Sequence, residues 1–73
     1  MIVYGKAGCT FCDKAVALLK EYEIGYEYID LMEDEDALKM IKGSGYRTVP
    51  QIFTDNGTHI GGYTELVQYL QTP

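Results

Sequence analysis

Cys9 and Cys12, separated by Thr10 and Phe11, are the side chains of this sequence best suited to covalent chemistry. They follow a short β-branched and aromatic segment, Ile2-Val3-Tyr4, and open a stretch with helical spacing. The first N–H groups of a helix have no intrahelical partner and carry the positive end of its dipole. Negative charge is favoured there, and such sites lower a cysteine pKa from ~8.5 to roughly 3.5–7.5. Cys9, at the helix entrance, is therefore expected to be the exposed, attacking thiolate. Cys12, one turn in, is expected to be shielded and near enough to close a disulfide. Lys6 and Lys14 add positive potential, and Asp13 opposes it. The chemistry implied is thiol–disulfide exchange. Cys9 attacks a disulfide sulfur to give a mixed disulfide, and Cys12 displaces the product thiol. A closed zinc site needs about four ligands, and two cysteines and one histidine do not supply them. No metal is expected. His59 reads as an edge residue, because this exchange needs no separate base.

The elements that must hold this pair are short and alternate in type. Ile2–Tyr4 reads as a strand. Thr10–Tyr22 reads as a helix with Phe11, Ala15, Val16, Leu18, Leu19 and Tyr22 on its apolar positions and Gly25 beyond its end. Tyr26–Asp30 reads as a second strand, and Asp34–Lys42 as a helix with Ala37, Leu38 and Ile41 inward. Gln51–Thr54 and Thr58–Ile60 read as a hairpin around Asp55-Asn56-Gly57, since Asn-Gly reaches positive φ at little cost. Gly61-Gly62 is expected to break the sheet. Tyr63–Gln71 reads as a last helix with Leu66, Val67 and Leu70 inward. Tyr22, Tyr26, Tyr28 and Tyr69 read as core or boundary aromatics with solvated hydroxyls. Tyr4 and Tyr63 fit either the core or a groove beside the cysteines. The order is β-α-β-α-β-β-α, an α/β fold. Its first two strands are parallel across a helix and its last two antiparallel, in one mixed four-stranded sheet flanked by three helices.

Seventy-three residues make one domain, 1–73, with 47% hydrophobic residues, enough for a core. The net charge is −5 and the six basic residues are scattered. A phosphate-neutralising patch is absent, so nucleic acid is not an expected partner. Glu33-Asp34-Glu35-Asp36 reads as a solvated helix start, where acids suit the dipole. No run of ~18 apolar residues is present to span a membrane. The N-terminal residues lack the pattern of an export signal. A cytoplasmic monomer is expected, and in that compartment a Cys-x-x-Cys pair reads as redox-active rather than structural.

Three blocks in order resemble the glutaredoxin family over nearly the whole length: Tyr4-Gly5-Lys6 through Cys9-Thr10-Phe11-Cys12, then Thr48-Val49-Pro50-Gln51-Ile52-Phe53, then Gly61-Gly62-Tyr63-Thr64-Glu65-Leu66. The resemblance implies a minimal thioredoxin fold with spatial strand order 2-1-3-4. It implies a glutathione-dependent oxidoreductase acting on protein disulfides and glutathione mixed disulfides, with ribonucleotide reductase among its protein partners. Glutathione is the implied reductant. Pro50 resembles the family's cis-proline beside the cysteines, leaving the Val49 backbone to pair with the cysteinyl part of glutathione like an added strand. Thr64 and Glu65, at a helix start that suits carboxylates, are implied to hold its γ-glutamyl end. Gly62 and Tyr63 belong to the same block, and Phe11 and Thr48 line the same site. Lys6 and Arg47 flank it, facing the glycyl carboxylate. The sequence departs from many relatives in Thr10-Phe11, where proline and tyrosine are common. It departs again in Thr64-Glu65, where an acid often comes first, and many relatives are longer at the C-terminus, where here Pro73 stands just after the last helix. Two other activities fit the same residues. One is a hydrogen donor recharged by thioredoxin reductase. The other is an iron–sulfur carrier in which two chains share a cluster through Cys9 and two glutathione thiols.

Overall fold

The computed structural model describes residues 1–71; Thr72 and Pro73 lie outside the described residues. Seven elements alternate along the chain: β1 (Ile2–Gly5), α1 (Thr10–Glu21), β2 (Glu27–Asp30), α2 (Glu35–Gly43), β3 (Gln51–Phe53), β4 (His59–Gly61) and α3 (Tyr63–Gln71). The sheet order is β2-β1-β3-β4. β1 and β2 are parallel, with Val3 beside Tyr28 and Gly5 beside Asp30. β3 runs antiparallel to both β1 and β4. This is the mixed sheet and the 2-1-3-4 order of the thioredoxin fold.

Side-chain alternation along the strands divides the core in two. Val3 and Ile52 are cross-strand partners and pack with Ala15 and Leu19 of α1 and Leu66 of α3. Tyr4 and Phe53 join the other cluster, built on Leu31 and on Ala37 and Ile41 of α2. Each large apolar side chain buried in this way contributes about 1.5–3 kcal/mol relative to exposure. α1 and α3 thus share one cluster, and their N-termini are the two ends that carry Cys9 and Tyr63.

Helix boundaries follow from capping. Asp34 is the N-cap of α2 rather than its first helical residue, because its carboxylate accepts from the Ala37 N–H at 2.9 Å. Tyr22 is the C-cap of α1 and is exposed, not part of its apolar face. The final strand begins and ends later than its sequence suggests. Thr58 closes the turn with a 2.9 Å bond from the Thr54 N–H, and Gly61 pairs with Ile52 instead of breaking the sheet. A bulge at Ile52/Phe53 permits this, since Phe53 already pairs with His59.

The Asp34 cap gives a direct stability test away from the cysteines. Asp34→Ala is expected to cost about 1 kcal/mol, which lowers the melting temperature by roughly 4–8 °C in a domain of this size. Thermal denaturation followed by circular dichroism reads the change. Asp34→Asn is expected to keep most of the stability, since its amide oxygen still accepts from Ala37.

Candidate active site

The first half of the site is the turn from β1 into α1. Gly8 adopts φ +78°, a left-handed conformation that a glycine reaches without Cβ strain. The chain then enters α1 with Cys9 as N-cap in an extended conformation. Cys9 Sγ takes the place of the usual capping oxygen and accepts from the Cys12 N–H at 3.1 Å. The two cysteines form a disulfide with their Cα atoms 5.2 Å apart. Cys12 is fully buried, while Cys9 retains 9% exposure. The shielding order is the one expected from the sequence. In the disulfide state, however, Cys9 is more covered than a freely exposed thiol, because the backbone of the opposite turn stands over it.

That opposite turn is the second half. The Val49–Pro50 peptide is cis, and the Val49 carbonyl oxygen is 3.8 Å from Cys9 Sγ. Among the described residues, the Val49 N–H makes no backbone hydrogen bond. Gln51 holds this turn from below. It is only 6% exposed, and its amide nitrogen donates to the Thr48 carbonyl at 2.9 Å and reaches the Thr48 hydroxyl at 3.2 Å. Its Oε1 lies 2.7 Å from His59 Nε2. The His59 ring stacks on Tyr46 with centroids 4.3 Å apart. His59 is thus an edge residue tied into the support of the Thr48–Pro50 turn. This supporting role of Gln51 is not evident from its place in the strand or in the Thr48–Phe53 block. The available signal was a polar residue starting a strand whose next residue is apolar, since a buried amide must find partners.

The third part is the start of α3. Glu65 reaches back to the residue before the helix: the Gly62 N–H donates to Glu65 Oε1 at 2.7 Å. Gly61, at φ +128°, leaves room for that side chain, because a Cβ there would come within 2.8 Å of Glu65 Cβ. Tyr63 faces Phe11 with ring centroids 5.9 Å apart. Phe11, placed inward by its helical spacing, is 54% exposed because it covers the groove rather than the core. Lys14 Nζ sits 5.2 Å from the Phe11 ring. Tyr4 belongs to the α2-side cluster and packs edge-on against Phe53.

These parts enclose an open groove of about 160 Å³. Its floor is Thr48-Val49-Pro50, one wall is Gly62 to Glu65, and Phe11 closes the end near the cysteines. Lys6 and Arg47 do not line it. They line an adjoining cleft of about 580 Å³ toward α2, which shares Thr48 and Val49 with the groove. Asp13 does not face either depression. It borders a hollow with Tyr26 and Tyr28 on the β2 side, so its charge is directed away from the groove. Among the described residues, no group of three or more His, Cys, Asp or Glu side chains is disposed to hold a metal ion. No helix among them is long and apolar enough to cross a membrane.

A Cys-x-x-C pair at a helix start, facing a cis-proline turn and a second helix start, is the constellation that the sequence resemblance implied. Residues 1–60 match the glutaredoxin family model. The chain belongs to the glutaredoxin family. Glutaredoxin 1 of Rickettsia conorii is 49% identical over 65 residues, covering 85% of this chain and 63% of the relative. The chain thus spans somewhat under two thirds of that relative's length. Among solved structures, a buckwheat glutaredoxin in complex with glutathione superposes with a TM-score of 0.80 at 27% identity, covering 96% of this chain and 66% of that one. The glutaredoxin-like NrdH-redoxin of Escherichia coli also superposes at 0.80, covering 99% and 93%, but at 18% identity it speaks to the fold alone.

Proposed function

We propose that this glutaredoxin is a glutathione-dependent thiol–disulfide oxidoreductase that reduces protein disulfides and glutathione mixed disulfides, with ribonucleotide reductase as one protein substrate. The observation that carries the reading is the Cys9–Cys12 pair at the α1 N-terminus against the Val49–Pro50 turn, with a groove running from it to the start of α3. The buckwheat relative was solved with glutathione, which supports the same ligand here. Monomeric, cytoplasmic action is part of the proposal.

Each residue has a stated task. In the reduced protein, the Cys12 N–H and the α1 dipole stabilise negative charge on Cys9 Sγ. Cys9 attacks the sulfur of a disulfide, a bond forms to it, and the departing thiolate takes the electron pair. The Val49 backbone, whose N–H makes no backbone hydrogen bond among the described residues, offers strand-like pairing to the peptide that carries the attacked sulfur. Gln51 keeps that backbone in place through Thr48. The N–H groups at the start of α3 suit a carboxylate, and Lys6 and Arg47 suit a second one across Val49. A γ-glutamyl tripeptide with a carboxylate at each end has the matching chemistry. Cys12 then attacks Cys9 to release a reduced protein, or glutathione attacks the Cys9 mixed disulfide directly.

Two coupled assays of NADPH oxidation test this, one with glutathione and glutathione reductase and one with thioredoxin reductase alone. Turnover of a small mixed disulfide only in the first is expected. Turnover only in the second would keep the cysteine chemistry and overturn the glutathione site.

A further inference from the structure

A feature outside the groove lies on the buried side of the cysteines. Gly5, the last residue of β1, has no side chain, and two atoms occupy the space that one would need. A Cβ there would collide with the Tyr28 hydroxyl and would come to 2.9 Å from Cys12 Sγ. The hydroxyl is nearer to that point than the sulfur is, so the two atoms are less than twice that distance apart. Tyr28 comes from β2, whose parallel register beside β1 sets it next to Val3. Its hydroxyl donates to the Lys6 carbonyl at 3.4 Å. Tyr28 is a boundary aromatic, 37% exposed as expected from the sequence, whose hydroxyl also reaches over the β1–α1 turn.

We propose that Tyr28 serves the resolving cysteine, its O–H donating a hydrogen bond to Cys12 Sγ whenever that atom carries negative charge. The inference rests on the dithiol reading of the site. Reduction of the resting disulfide begins when an incoming thiolate attacks Cys9 Sγ. A new sulfur–sulfur bond forms to Cys9, the Cys9–Cys12 bond breaks, and its electron pair leaves with Cys12. That thiolate emerges at a fully buried position, where charge without a hydrogen-bond donor is costly. In the oxidised protein the Tyr28 hydroxyl bonds only the Lys6 carbonyl; once the Cys9–Cys12 bond breaks, the freed Cys12 side chain turns toward it and the O–H swings over to donate, and a proton from solvent later completes the thiol. The same contact acts in the forward direction, when Cys12 must shed its proton to attack the Cys9 mixed disulfide. Tyr28 suits a donor role because burial, then the nearby charges of Asp30 and Asp13, push its own ionisation upward and keep its proton in place.

Tyr28→Phe removes the oxygen and leaves the ring. The test is single-turnover reduction of the oxidised protein, followed for wild type and Tyr28→Phe, with glutathione and in parallel with dithiothreitol. A slowing of about tenfold by either thiol is expected, the size of one hydrogen bond to a charged group. In a Cys12→Ser background, which lacks the resolving thiol, Tyr28→Phe is expected to leave mixed-disulfide reduction within about twofold. Equal slowing in both backgrounds would reduce Tyr28 to a support of the turn and overturn the proposal. Unchanged rates in the wild-type background would overturn it as well. Dithiothreitol reads the Cys12 step even if glutathione proves not to be the physiological thiol, so the two readings fail separately.

Discussion

Cys9→Ser is expected to lower turnover in every thiol–disulfide assay by at least about a thousandfold, because a thiolate is the nucleophile and a serine hydroxyl stays protonated near neutral pH. Cys12→Ser is expected to behave differently. The attacking sulfur, its position at the α1 N-terminus and its place beside Val49 are all retained. Glutathione can therefore still resolve a Cys9 mixed disulfide, and activity on small glutathione mixed disulfides should persist. Reduction of a protein disulfide should fall sharply, since Cys12 can no longer displace the trapped substrate. The geometry sets this asymmetry. Cys9 is the accessible member, at the helix entrance, while Cys12 has no exposed surface from which to meet a substrate. Parallel assays with a small mixed disulfide and with insulin measure the split. Equal loss in both assays for Cys12→Ser would contradict the division of labour between the two sulfurs. Retained activity in Cys9→Ser would remove Cys9 from the chemistry altogether.

The parts of this site that could be read from the sequence are those whose function fixes residue type. A thiol pair at a helix start, a proline entering a strand and a glycine pair before a helix each leave a local mark. Their strand and helix contexts follow from short-range periodicity. What escaped local reading depends on tertiary neighbours. Phe11 has the spacing of a core residue, yet the first turn of α1 carries it over the groove to meet Tyr63. Gln51 and His59 gain their meaning from a cross-strand hydrogen bond within a bulged hairpin, and the bulge cannot be seen in either strand alone. Tyr28 becomes interesting only because Gly5, in the adjoining strand, leaves room for its hydroxyl beside Cys12. The helix start of α3 was expected from its glycines, but the bond from the Gly62 N–H to Glu65 depends on the missing Cβ of Gly61, which leaves room for the Glu65 side chain. Lys6 and Arg47 line a separate cleft that shares only Thr48 and Val49 with the groove, a division no local pattern reveals.

Leu66→Ala tests whether the core sets the groove. Leu66 is the only fully buried side chain of α3 and packs in one cluster with Val3, Ala15, Leu19 and Ile52. Truncating a buried leucine costs about 2–5 kcal/mol, through lost transfer energy and the cavity left behind. A domain of this length has roughly 4–11 kcal/mol of stability in total, so one substitution removes a large share. Urea denaturation is expected to show a much lower midpoint, with the slope unchanged if the folded state keeps its compactness. The functional effect follows from where α3 begins. Tyr63, Thr64 and Glu65 form one wall of the groove, and Leu66, next in the chain, anchors that wall in the core. Under conditions where the variant is folded, KM for glutathione should rise several-fold, while single-turnover reduction of the Cys9–Cys12 disulfide by dithiothreitol should change little. That pattern separates the binding wall from the reacting sulfurs, which the α1 N-terminus holds independently. A destabilised variant with an unaltered KM would show that the α3 wall does not contact the substrate.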